Sequence, residues 1–296
     1  MRPLLIPGAG GQLGTDLRTL AQAQGIPFSG YTSGELDISD ESAVSETVGR
    51  FARQHPDGVI VNAAAYTAVD KAESDVDRAF KVNGEGPVFL ARAAAAHGLG
   101  LIHVSTDYVF PGDAFEPYEP TDPTGPKSVY GASKLAGESG ALQEHPDTHV
   151  VRTAWVYGAT GGNFVKTMCA LERKHPTVSV VDDQQGSPTY SRDLAAGLIE
   201  LANADVPGGV LHATNTGATT WFGFTRAIFT EIGADPERVL PTTTDAFPRP
   251  APRPAYSVLS PRAWVAAGLT ELRSWQDALA DALRSDPGAF RPAPAE

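Results

Sequence analysis

The stretch Leu4-Leu-Ile-Pro-Gly8-Ala-Gly-Gly11-Gln-Leu-Gly14 decides the fold class. A short strand-like run leads directly into a glycine-rich loop, and a helical pattern follows. In such a loop Gly8 permits the tight turn, Gly11 lets the backbone approach a pyrophosphate, and Gly14 lets the helix pack on the sheet. Because the chain contains 30 glycines, a purely structural turn is the alternative interpretation. The position at the first strand–helix junction favours a dinucleotide-binding loop.

The first half of the chain alternates short apolar runs with helical patterns, which is typical of βαβ units and a parallel sheet. Strands are predicted over Leu4–Pro7, Ile26–Tyr31, Val59–Asn62, Leu101–Val104 and His149–Ala154. Helices are predicted over Gln12–Gln24, Ser42–His55, much of Ala72–His97, Tyr130–Glu144 and Asn163–Lys174. Right-handed crossovers make this a doubly wound, Rossmann-type α/β fold whose loops gather at the carboxyl edge of the sheet.

Two parts of the chain differ in texture. Residues 1–177 form the predicted dinucleotide-binding domain, and residues 178–296 a smaller α/β substrate lobe with crossings back to the main sheet. Pro111–Lys127 contains five prolines and is expected to be a surface loop over the open edge. The terminal residues Arg291–Glu296 are expected to be frayed.

Composition excludes several classes of protein. Lys and Arg number 23 against 35 Asp and Glu, a net charge of −12 that argues against nucleic acid as a partner. The single cysteine, Cys169, lies in an apolar run and is expected to be buried packing in a reducing compartment. No run approaches the roughly 20 apolar residues of a membrane helix, and the seven histidines show no metal-ligand spacing. A cytoplasmic protein without membrane or metal is expected, and a homodimer is compatible with the sequence.

Tyr130-Gly-Ala-Ser-Lys134 places a tyrosine and a lysine on one face of a helix. A free tyrosine has a pKa near 10 and is a poor proton donor at pH 7. A neighbouring ammonium is expected to lower the pKa of the Tyr130 phenol, and Lys134 can also reach a nicotinamide ribose. The alternative is an ordinary surface pair. The position after the fourth strand favours a proton-transfer site.

The fourth strand runs straight into Ser105-Thr-Asp107-Tyr108, which places a hydroxyl at the open edge of the sheet. A hydroxyl there can donate a hydrogen bond to a substrate carbonyl as negative charge develops on its oxygen. Strand alternation sends Ser105 and Thr106 to opposite faces, and spacing alone leaves both as candidates.

The end of the second strand decides which nicotinamide cofactor is preferred. Gly30-Tyr-Thr-Ser33 contains no carboxylate that would grip a ribose 2′-hydroxyl, so NADPH is favoured over NADH, although no arginine reinforces the preference. Asp37, followed by Ile38, is a candidate for the adenine amino group. Its alternative role is that of an acid at a helix start.

Several motifs in chain order resemble the dTDP-4-dehydrorhamnose reductases of the extended short-chain dehydrogenase/reductase group. The matching pieces are Gly8–Gly14, Val61–Asp70, Ser105–Phe110, Tyr130–Lys134 with Gly137-Glu138, Arg152–Tyr157, Asn163-Phe164, Gln185–Thr189 and Arg253–Ser257. The glycine loop and the Tyr/Lys pair mark only the superfamily, whereas the Asn-Ala-Ala-Ala-Tyr-Thr and Ser-Thr-Asp-Tyr-Val-Phe runs are more specific. Tyr256 and Ser260 depart from the usual pattern on the substrate side.

The resemblance implies reduction of the C4 ketone of dTDP-4-dehydro-L-rhamnose by NADPH or NADH. It implies a catalytic set of Thr106, Tyr130 and Lys134. The implied cofactor residues are Gly8, Gly11, Gln12, Leu13, Gly14, Asp37, Ile38, Asn62, Ala63, Ala64 and Ala65, together with Tyr130 and Lys134 of the catalytic set. The implied substrate residues are Thr67, Val69, Thr106, Asp107, Tyr108, Trp155, Asn163, Gln185 and Arg253.

Other interpretations remain open within this fold. One is a 4-ketoreductase for another dTDP-deoxysugar of secondary metabolism, and a second is a regulatory subunit without catalysis. The intact Thr/Tyr/Lys set favours an enzyme over the regulatory subunit. A dehydratase would need a glutamate where Tyr108 stands. Trp155 could be a sugar platform or plain core.

Overall fold

The computed structural model describes residues 1–291. Its strands are, in chain order, β1 (Leu4–Pro7), β2 (Phe28–Tyr31), β3 (Val59–Asn62), β4 (Gly100–Thr106), β5 (His149–Thr153), β6 (Val156–Tyr157), β7 (Val178–Val181), β8 (Gln185–Gly186), β9 (Thr189–Tyr190), β10 (Gly209–His212), β11 (Thr219–Thr220) and β12 (Val239–Thr242). The predicted fraying of residues 292–296 lies outside the described residues. Arg291 itself is anchored, because its guanidinium donates to the Ile232 carbonyl.

Helices flank these strands. They are α1 (Gln12–Ala23), α2 (Glu41–Gln54), α3 (Val69–Ala72), α4 (Val76–Phe80), α5 (Gly86–His97), α6 (Val129–Glu144), α7 (Phe164–Lys174), α8 (Ser191–Asn203), α9 (Trp221–Glu231), α10 (Arg262–Ala266), α11 (Trp275–Ser285) and α12 (Pro287–Phe290). A π-helical turn spans Lys81–Glu85, and 3₁₀ turns span Asp107–Val109, Pro236–Arg238 and Thr244–Ala246.

Six parallel strands form the main sheet in the order β10-β5-β4-β3-β1-β2. One apolar cluster packs α1 and α8 on one face through residues such as Leu17 and Leu198. A second cluster packs α2 and α5 on the opposite face through Val48 and Leu90. The chain leaves β1 toward β2 on one side and returns to β3 on the other, which creates a switch point at the carboxyl edge. The Rossmann-type doubly wound fold class is therefore confirmed.

The later part of the chain contributes both to the main sheet and to a separate core. β10 pairs with β5 in the main sheet, from Gly209 opposite His149 to His212 opposite Arg152. The short pairs β12–β7, β11–β8 and β6–β9 lie outside the main sheet, and a cluster that includes Phe224, Phe229 and Trp275 packs among them. The proposed division at residue 178 stays a prediction.

Most predicted element boundaries differ from the observed ones by at most one residue, whereas the start of β2 and the end of β4 differ by two. β2 begins at Phe28 rather than Ile26, because Pro27 has no N–H for the ladder and only its carbonyl bonds Leu4. β4 extends to Thr106, which lies opposite Thr153 of β5. Ser105 and Thr106 are thus held by the sheet itself.

The helix expected over much of Ala72–His97 is confirmed over Val76–His97, where α4, the π turn and α5 follow one another without interruption. The π turn, however, departs from a regular α-helix, and α3 is a separate short helix. Pro87 has no N–H, and its ring would clash with the carbonyl four residues earlier, which is that of Asn83. The backbone widens there into i→i+5 bonding, as in the bond from Gly86 N to the Lys81 carbonyl. The turn presents the Asn83 amide to two other segments. It accepts from Tyr66 N at 2.8 Å and donates to Ser133 Oγ at 3.1 Å.

Helix α6 lies directly on this π turn. A Cβ added to Gly137 would lie 2.0 Å from the Asn83 carbonyl oxygen, so only glycine allows the approach. The contact fixes how closely α6 packs against the segment that precedes α5.

We predict that Gly137→Ala lowers the free energy of unfolding by about 1–3 kcal/mol, because the added methyl must push α6 away from the π turn. An exposed helical site would instead gain up to about 1 kcal/mol from alanine. Gly288→Ala is the control, since a Cβ there has no neighbour within 4 Å among residues 1–291. Urea unfolding of both variants is the measurement. Equal stabilities would show that the contact does not hold α6.

Candidate active site

The glycine loop is closed at two positions and open at a third. Gly8 has φ of +81°, and a Cβ there would lie 2.5 Å from Ala64 N. A Cβ on Gly14 would lie 2.2 Å from the Gly8 carbonyl oxygen. At Gly11 the only neighbour that an added Cβ meets among the described residues is the Gly8 carbonyl oxygen, at 3.4 Å. Gly11 is exposed and begins α1 without a side-chain cap, so the first-turn N–H groups face open space suited to an anion.

The residues after β3 lie against this loop. The Asn62 Oδ1 accepts a hydrogen bond from Ala64 N at 3.1 Å, and the Ala63–Ala64 backbone closes over Gly8. Ala65 continues this partly buried segment. The predicted cofactor residues therefore meet at one edge of the sheet.

Three predicted site residues do not simply line the cofactor or substrate region with their side chains. The Leu13 side chain belongs to the core, so only its backbone faces the loop. Ile38 is also buried and packs on Gly86. Asn163 begins α7, and its Nδ2 donates to Gln12 Oε1 at 3.1 Å. Asn163, which was assigned to the substrate side, thus touches a residue of the cofactor loop.

Charged groups surround the end of β2. From the sequence we expected no arginine and no carboxylate there, and that expectation is wrong. The Arg18 stem lies beside Gly30, where an added Cβ would be 3.2 Å from Arg18 Cδ. The Glu35 carboxylate accepts from Thr32 N and Thr32 Oγ1, both at 2.8 Å. Arg50 donates to the Tyr31 hydroxyl at 3.3 Å. Arg18 and Arg50 come from α1 and α2, so residues around position 30 gave no sign of them.

Asp37 does not lie at the start of a helix, and its carboxylate has hydrogen-bond and ion-pair partners. Its Oδ1 accepts from Ser39 N and Oγ, and its Oδ2 pairs with Arg78 at 3.0 Å. The hydrogen bonds from Ser39, then that from Arg78, lower the pKa of the Asp37 carboxyl. Asp40, rather than Asp37, caps α2 by accepting from Ala43 N. The helix-start interpretation of Asp37 is therefore wrong.

Helix α6 carries the Tyr/Lys pair to the end of β4. Ser128 caps it by accepting from Gly131 N at 3.1 Å. The Tyr130 ring meets Tyr108 edge-on, with 5.5 Å between centroids. Lys134 is 2% exposed, and its Nζ donates to the Val104 carbonyl at 2.7 Å and lies 3.4 Å from His103 Nε2.

Burial dominates the protonation of both residues. It raises the pKa of Tyr130 to about 12, although a hydrogen bond with Thr106 opposes the rise. The expected lowering of the Tyr130 pKa by Lys134 is therefore not seen. Burial also lowers the pKa of Lys134 to about 8, against the attraction of Glu138. An ammonium with so low a pKa gives up its charge readily as pH rises.

The two hydroxyls at the end of β4 face different surroundings. Ser105 is buried, and its Oγ has no hydrogen-bond partner among the described residues. The Thr106 hydroxyl donates to Asp107 Oδ1 at 2.9 Å and accepts from Tyr108 N at 3.3 Å. Asp107 is 2% exposed, and burial raises its pKa to about 6. Asp107 thus contacts the Thr106 hydroxyl from the buried side.

Two predicted substrate residues, Tyr108 and Arg253, border one cavity of about 200 Å³. It is lined by Tyr108, Phe110, Pro111, Gly112, Asp113, Lys127, Ser128, Pro252, Arg253, Pro254 and Ala255. The Arg253 guanidinium pairs with Asp70 of α3 at 2.9 Å. Thr67 is exposed just before α3, and Val69, its first residue, is partly buried.

Trp155 adopts a backbone conformation that is rare outside glycine, with φ of +48°. Its ring stacks on Trp221 of α9, with 3.5 Å between centroids and 6° between planes. Gly186 packs against the same indole, next to Gln185. The backbone of Gln185 bonds Ala255 and Ser257, which joins this corner to the Arg253 segment. Trp155 is therefore partly covered by protein rather than free on both faces.

Sequence reasoning missed several residues that shape this site: Arg18, Glu35, Asn83, His103 and Trp221. His103 carried a usable signal, since a polar residue in an otherwise apolar strand needs a buried partner. Pro87 signalled the widened turn at Asn83. Among residues 1–291, no cluster of His, Cys, Asp or Glu suits a metal, and no helix could span a membrane.

We predict that Lys134→Met raises the free energy of unfolding at pH 7 by on the order of 2 kcal/mol, because it removes a buried amine whose pKa is lowered to about 8. The unfolded lysine has a pKa near 10.4, so the unfolded chain holds more protons between these values and the cost of burial fades as pH rises. The gain should shrink from pH 7 to pH 9.5 in urea unfolding. The exposed Lys174→Met should show no such trend, and a pH-independent gain would contradict the assignment.

Comparisons with known proteins identify the family of this chain. A family model described as the RmlD substrate binding domain matches residues 1–286. The dTDP-4-dehydrorhamnose reductase of Mycobacterium tuberculosis is 53% identical over 285 residues, which cover 95% of this chain and 92% of that protein. A Streptomyces antibioticus protein, named a probable dTDP-4,6-dihydroxy-2-methyloxan-3-one 4-ketoreductase, is 46% identical over 281 residues, 94% of this chain and 93% of that protein.

A solved structure is similar over the same extent. The dTDP-4-dehydrorhamnose reductase of Bacillus anthracis, in complex with NADP, has a TM-score of 0.90 at 36% identity, covering 96% of this chain and 100% of that chain. Since the family match spans nearly the whole chain and more than half of the residues are shared with the mycobacterial protein, this chain belongs to the dTDP-4-dehydrorhamnose reductase family.

Proposed function

We propose that this protein reduces the C4 ketone of dTDP-4-dehydro-L-rhamnose to dTDP-L-rhamnose with NADPH. The observation that carries the proposal is the meeting of Tyr130 and Thr106 at the carboxyl end of β4, with Lys134 beneath them. The open glycine loop lies at the same edge of the sheet. Ketone reduction needs a proton donor beside a dinucleotide, and this edge supplies the donor and a cradle for the dinucleotide.

The cofactor cradle is built from backbone. The open position at Gly11 and the uncapped first turn of α1, with Gln12 and Leu13, would hold the pyrophosphate. Asn62, Ala63, Ala64 and Ala65 would line the nicotinamide half, and Lys134 would donate to its ribose. Asp37 and Ile38 would border the adenine. When bound, the reduced nicotinamide supplies the hydride.

Tyr130 is the proton donor in this mechanism. Its raised pKa keeps the phenol protonated at pH 7, so a proton is available for the oxygen of the reduced ketone. The charge of Lys134 would stabilise the phenolate that remains.

Thr106 has a single hydroxyl proton, which Asp107 accepts in this structure. Once Tyr130 has given up its proton, the phenolate becomes a competing acceptor. Thr106 can then turn its proton toward Tyr130 and stabilise the charge only after it has formed. Asp107 is thus a positioning residue that holds Thr106 for this role.

The substrate would lie over the same edge. Thr67, Val69, Tyr108 and Trp155 would border the sugar, and Gln185, Arg253 and Asn163 the nucleotide. The ion pair with Asp70 holds the Arg253 guanidinium in place, which suits it to a phosphate. The contact between Asn163 and Gln12 indicates that substrate and cofactor would meet there.

A second candidate is the reduction of another dTDP-4-keto-6-deoxysugar. The similarity to the Streptomyces antibioticus protein favours it, as do Tyr256 and Ser260, which depart from the usual family pattern. A panel of dTDP-4-keto-6-deoxysugars with NADPH separates the two candidates by kcat/KM. The proposal expects dTDP-4-dehydro-L-rhamnose to give the highest value. A higher value for another sugar would establish the second candidate, and no oxidation of NADPH with any sugar would refute both.

Tyr130→Phe is expected to lower kcat by roughly 100-fold or more, since the phenolic proton is transferred only in the transition state. Its affinity for NADPH should stay close to wild type. Tyr157→Phe is the matched control, because the buried Tyr157 hydroxyl has no hydrogen-bond partner among the described residues. Steady-state kinetics and cofactor titration are the measurements, and a variant with half the wild-type kcat would rule out Tyr130 as the donor.

The cofactor preference should depend on opposite charges near the end of β2. Arg18→Ala is expected to lower kcat/KM for NADPH about tenfold and leave that for NADH unchanged, since only NADPH carries a 2′-phosphate. Glu35→Gln should raise kcat/KM for NADPH, because it removes a repelling carboxylate. Equal losses with both cofactors in Arg18→Ala would show that Arg18 acts through packing instead.

A further inference from the structure

His103, a fully buried histidine of β4, lies between Asn62 at the end of β3 and Lys134 of α6. Asn62 and His103 are direct neighbours across the β3–β4 ladder, and they are 1% and 0% exposed. Asn62 Nδ2 lies 3.1 Å from His103 Nδ1, and Lys134 Nζ lies 3.4 Å from His103 Nε2. These contacts form a continuous chain of polar groups beneath the proposed active site.

The hydrogen bonds fix which imidazole nitrogen carries the proton. The Asn62 Oδ1 accepts from Ala64 N at 3.1 Å, so the amide nitrogen must face His103. An amide NH₂ group only donates, and therefore His103 Nδ1 must accept with its lone pair. Burial, together with the charge of Lys134, lowers the pKa of His103 well below its usual value, so the ring is neutral. A neutral ring with a free Nδ1 carries its proton on Nε2, which points at Lys134.

Lys134 meets that N–H differently in its two protonation states. An ammonium has three donors and no acceptor, so its N–H groups cannot accept a hydrogen bond from the Nε2–H of His103. The uncharged amine can accept that hydrogen bond through its lone pair. We propose that Asn62 and His103 act as a positioning pair that stabilises the uncharged amine of Lys134 against its ammonium. The bond to the Val104 carbonyl is available to both states and does not discriminate between them.

The other charges around Lys134 do not account for this preference. On α6, Glu138 favours the ammonium, but Arg152 of β5 pairs with that carboxylate at 2.8 Å and offsets much of its effect. Tyr130 is protonated in the working range, and β4 contributes His103. The π turn packed on α6 presents the uncharged amide of Asn83. Burial lowers the pKa of Lys134 to about 8 against the attraction of Glu138. The proposal adds the contact with His103 Nε2 to this effect of burial.

The consequence for catalysis rests on the proposed function. The positive charge of Lys134 helps Tyr130 to part with its proton, and a lysine with a lowered pKa loses that charge as pH rises through about 8. His103 would thereby set the upper pH limit of the reductase. Without its N–H, the ammonium would persist to higher pH.

The test compares His103→Phe with His103→Gln in the full chain. Phenylalanine keeps the ring shape and the burial of Lys134 but removes the N–H, so the pKa of Lys134 should rise by about one pH unit. The glutamine amide offers both an acceptor and a donor and should keep the pKa near wild type. The surface variant His97→Gln should leave both the pKa and the activity unchanged.

NMR titration of ¹³C-labelled lysine measures this pKa without catalysis. The chain has six lysines, and the Lys134 signal is assigned by its absence from Lys134→Met. The ¹⁵N shifts of His103 report the tautomer, and Nε2–H is expected. An unchanged Lys134 pKa in His103→Phe, or an Nδ1–H tautomer, would overturn the proposal.

A reductase assay then separates this proposal from the proposed function. The alkaline limb of the kcat profile should move upward in His103→Phe together with the Lys134 pKa. If the NMR shift occurs but the protein reduces no sugar, the positioning pair stands and the proposed function fails. If reduction occurs with no shift of the Lys134 pKa, the reverse holds.

Discussion

The approach of Gly137 to the Asn83 carbonyl is the constraint on which the rest of the site depends. A side chain at position 137 would leave no room, since a Cβ would lie 2.0 Å from that oxygen. The approach allows α6 to lie close enough for Lys134 to reach the Val104 carbonyl, and it sets Tyr130 beside Thr106. The same π turn holds Tyr66 through the Asn83 amide, so one irregular turn joins the segment that follows β3 to helix α6.

The site accepts buried ionisable groups at a cost in stability. Within the part of the chain that the structure describes, Lys134 has no carboxylate in direct contact, and Asp107, which accepts from Thr106, has no cation beside it. Burial moves the pKa of Lys134 to about 8 and that of Asp107 to about 6, so both can change charge near neutral pH. A buried ion pair with a purely structural role has different contacts, because each charge is paired with an opposite one. Glu138 and Arg152 are joined by three hydrogen bonds of 2.8, 3.1 and 3.2 Å and hold α6 on β5.

The sequence was sufficient wherever the structure depends on neighbouring residues. The glycine loop, β1, β3 and the Tyr130–Lys134 face follow local rules of turn geometry and periodicity. It was insufficient where distant segments meet. Arg18 reaches the end of β2 from α1, and Trp221 covers Trp155 from α9. Pro87 was a visible signal of the irregular turn before α5, but the close fit of Gly137 of α6 against that turn joins distant segments and follows no local pattern.

The central claim is that the protein moves a hydride from NADPH to C4 of dTDP-4-dehydro-L-rhamnose. The most direct test is a single reaction with NADPH that carries deuterium at the transferable C4 positions of the nicotinamide, followed by NMR of the sugar product. The account predicts dTDP-L-rhamnose with one deuterium at C4 of the sugar. A deuterated product with the other configuration at C4 would contradict the assigned product. Unchanged substrate, or a product without deuterium, would contradict hydride transfer itself.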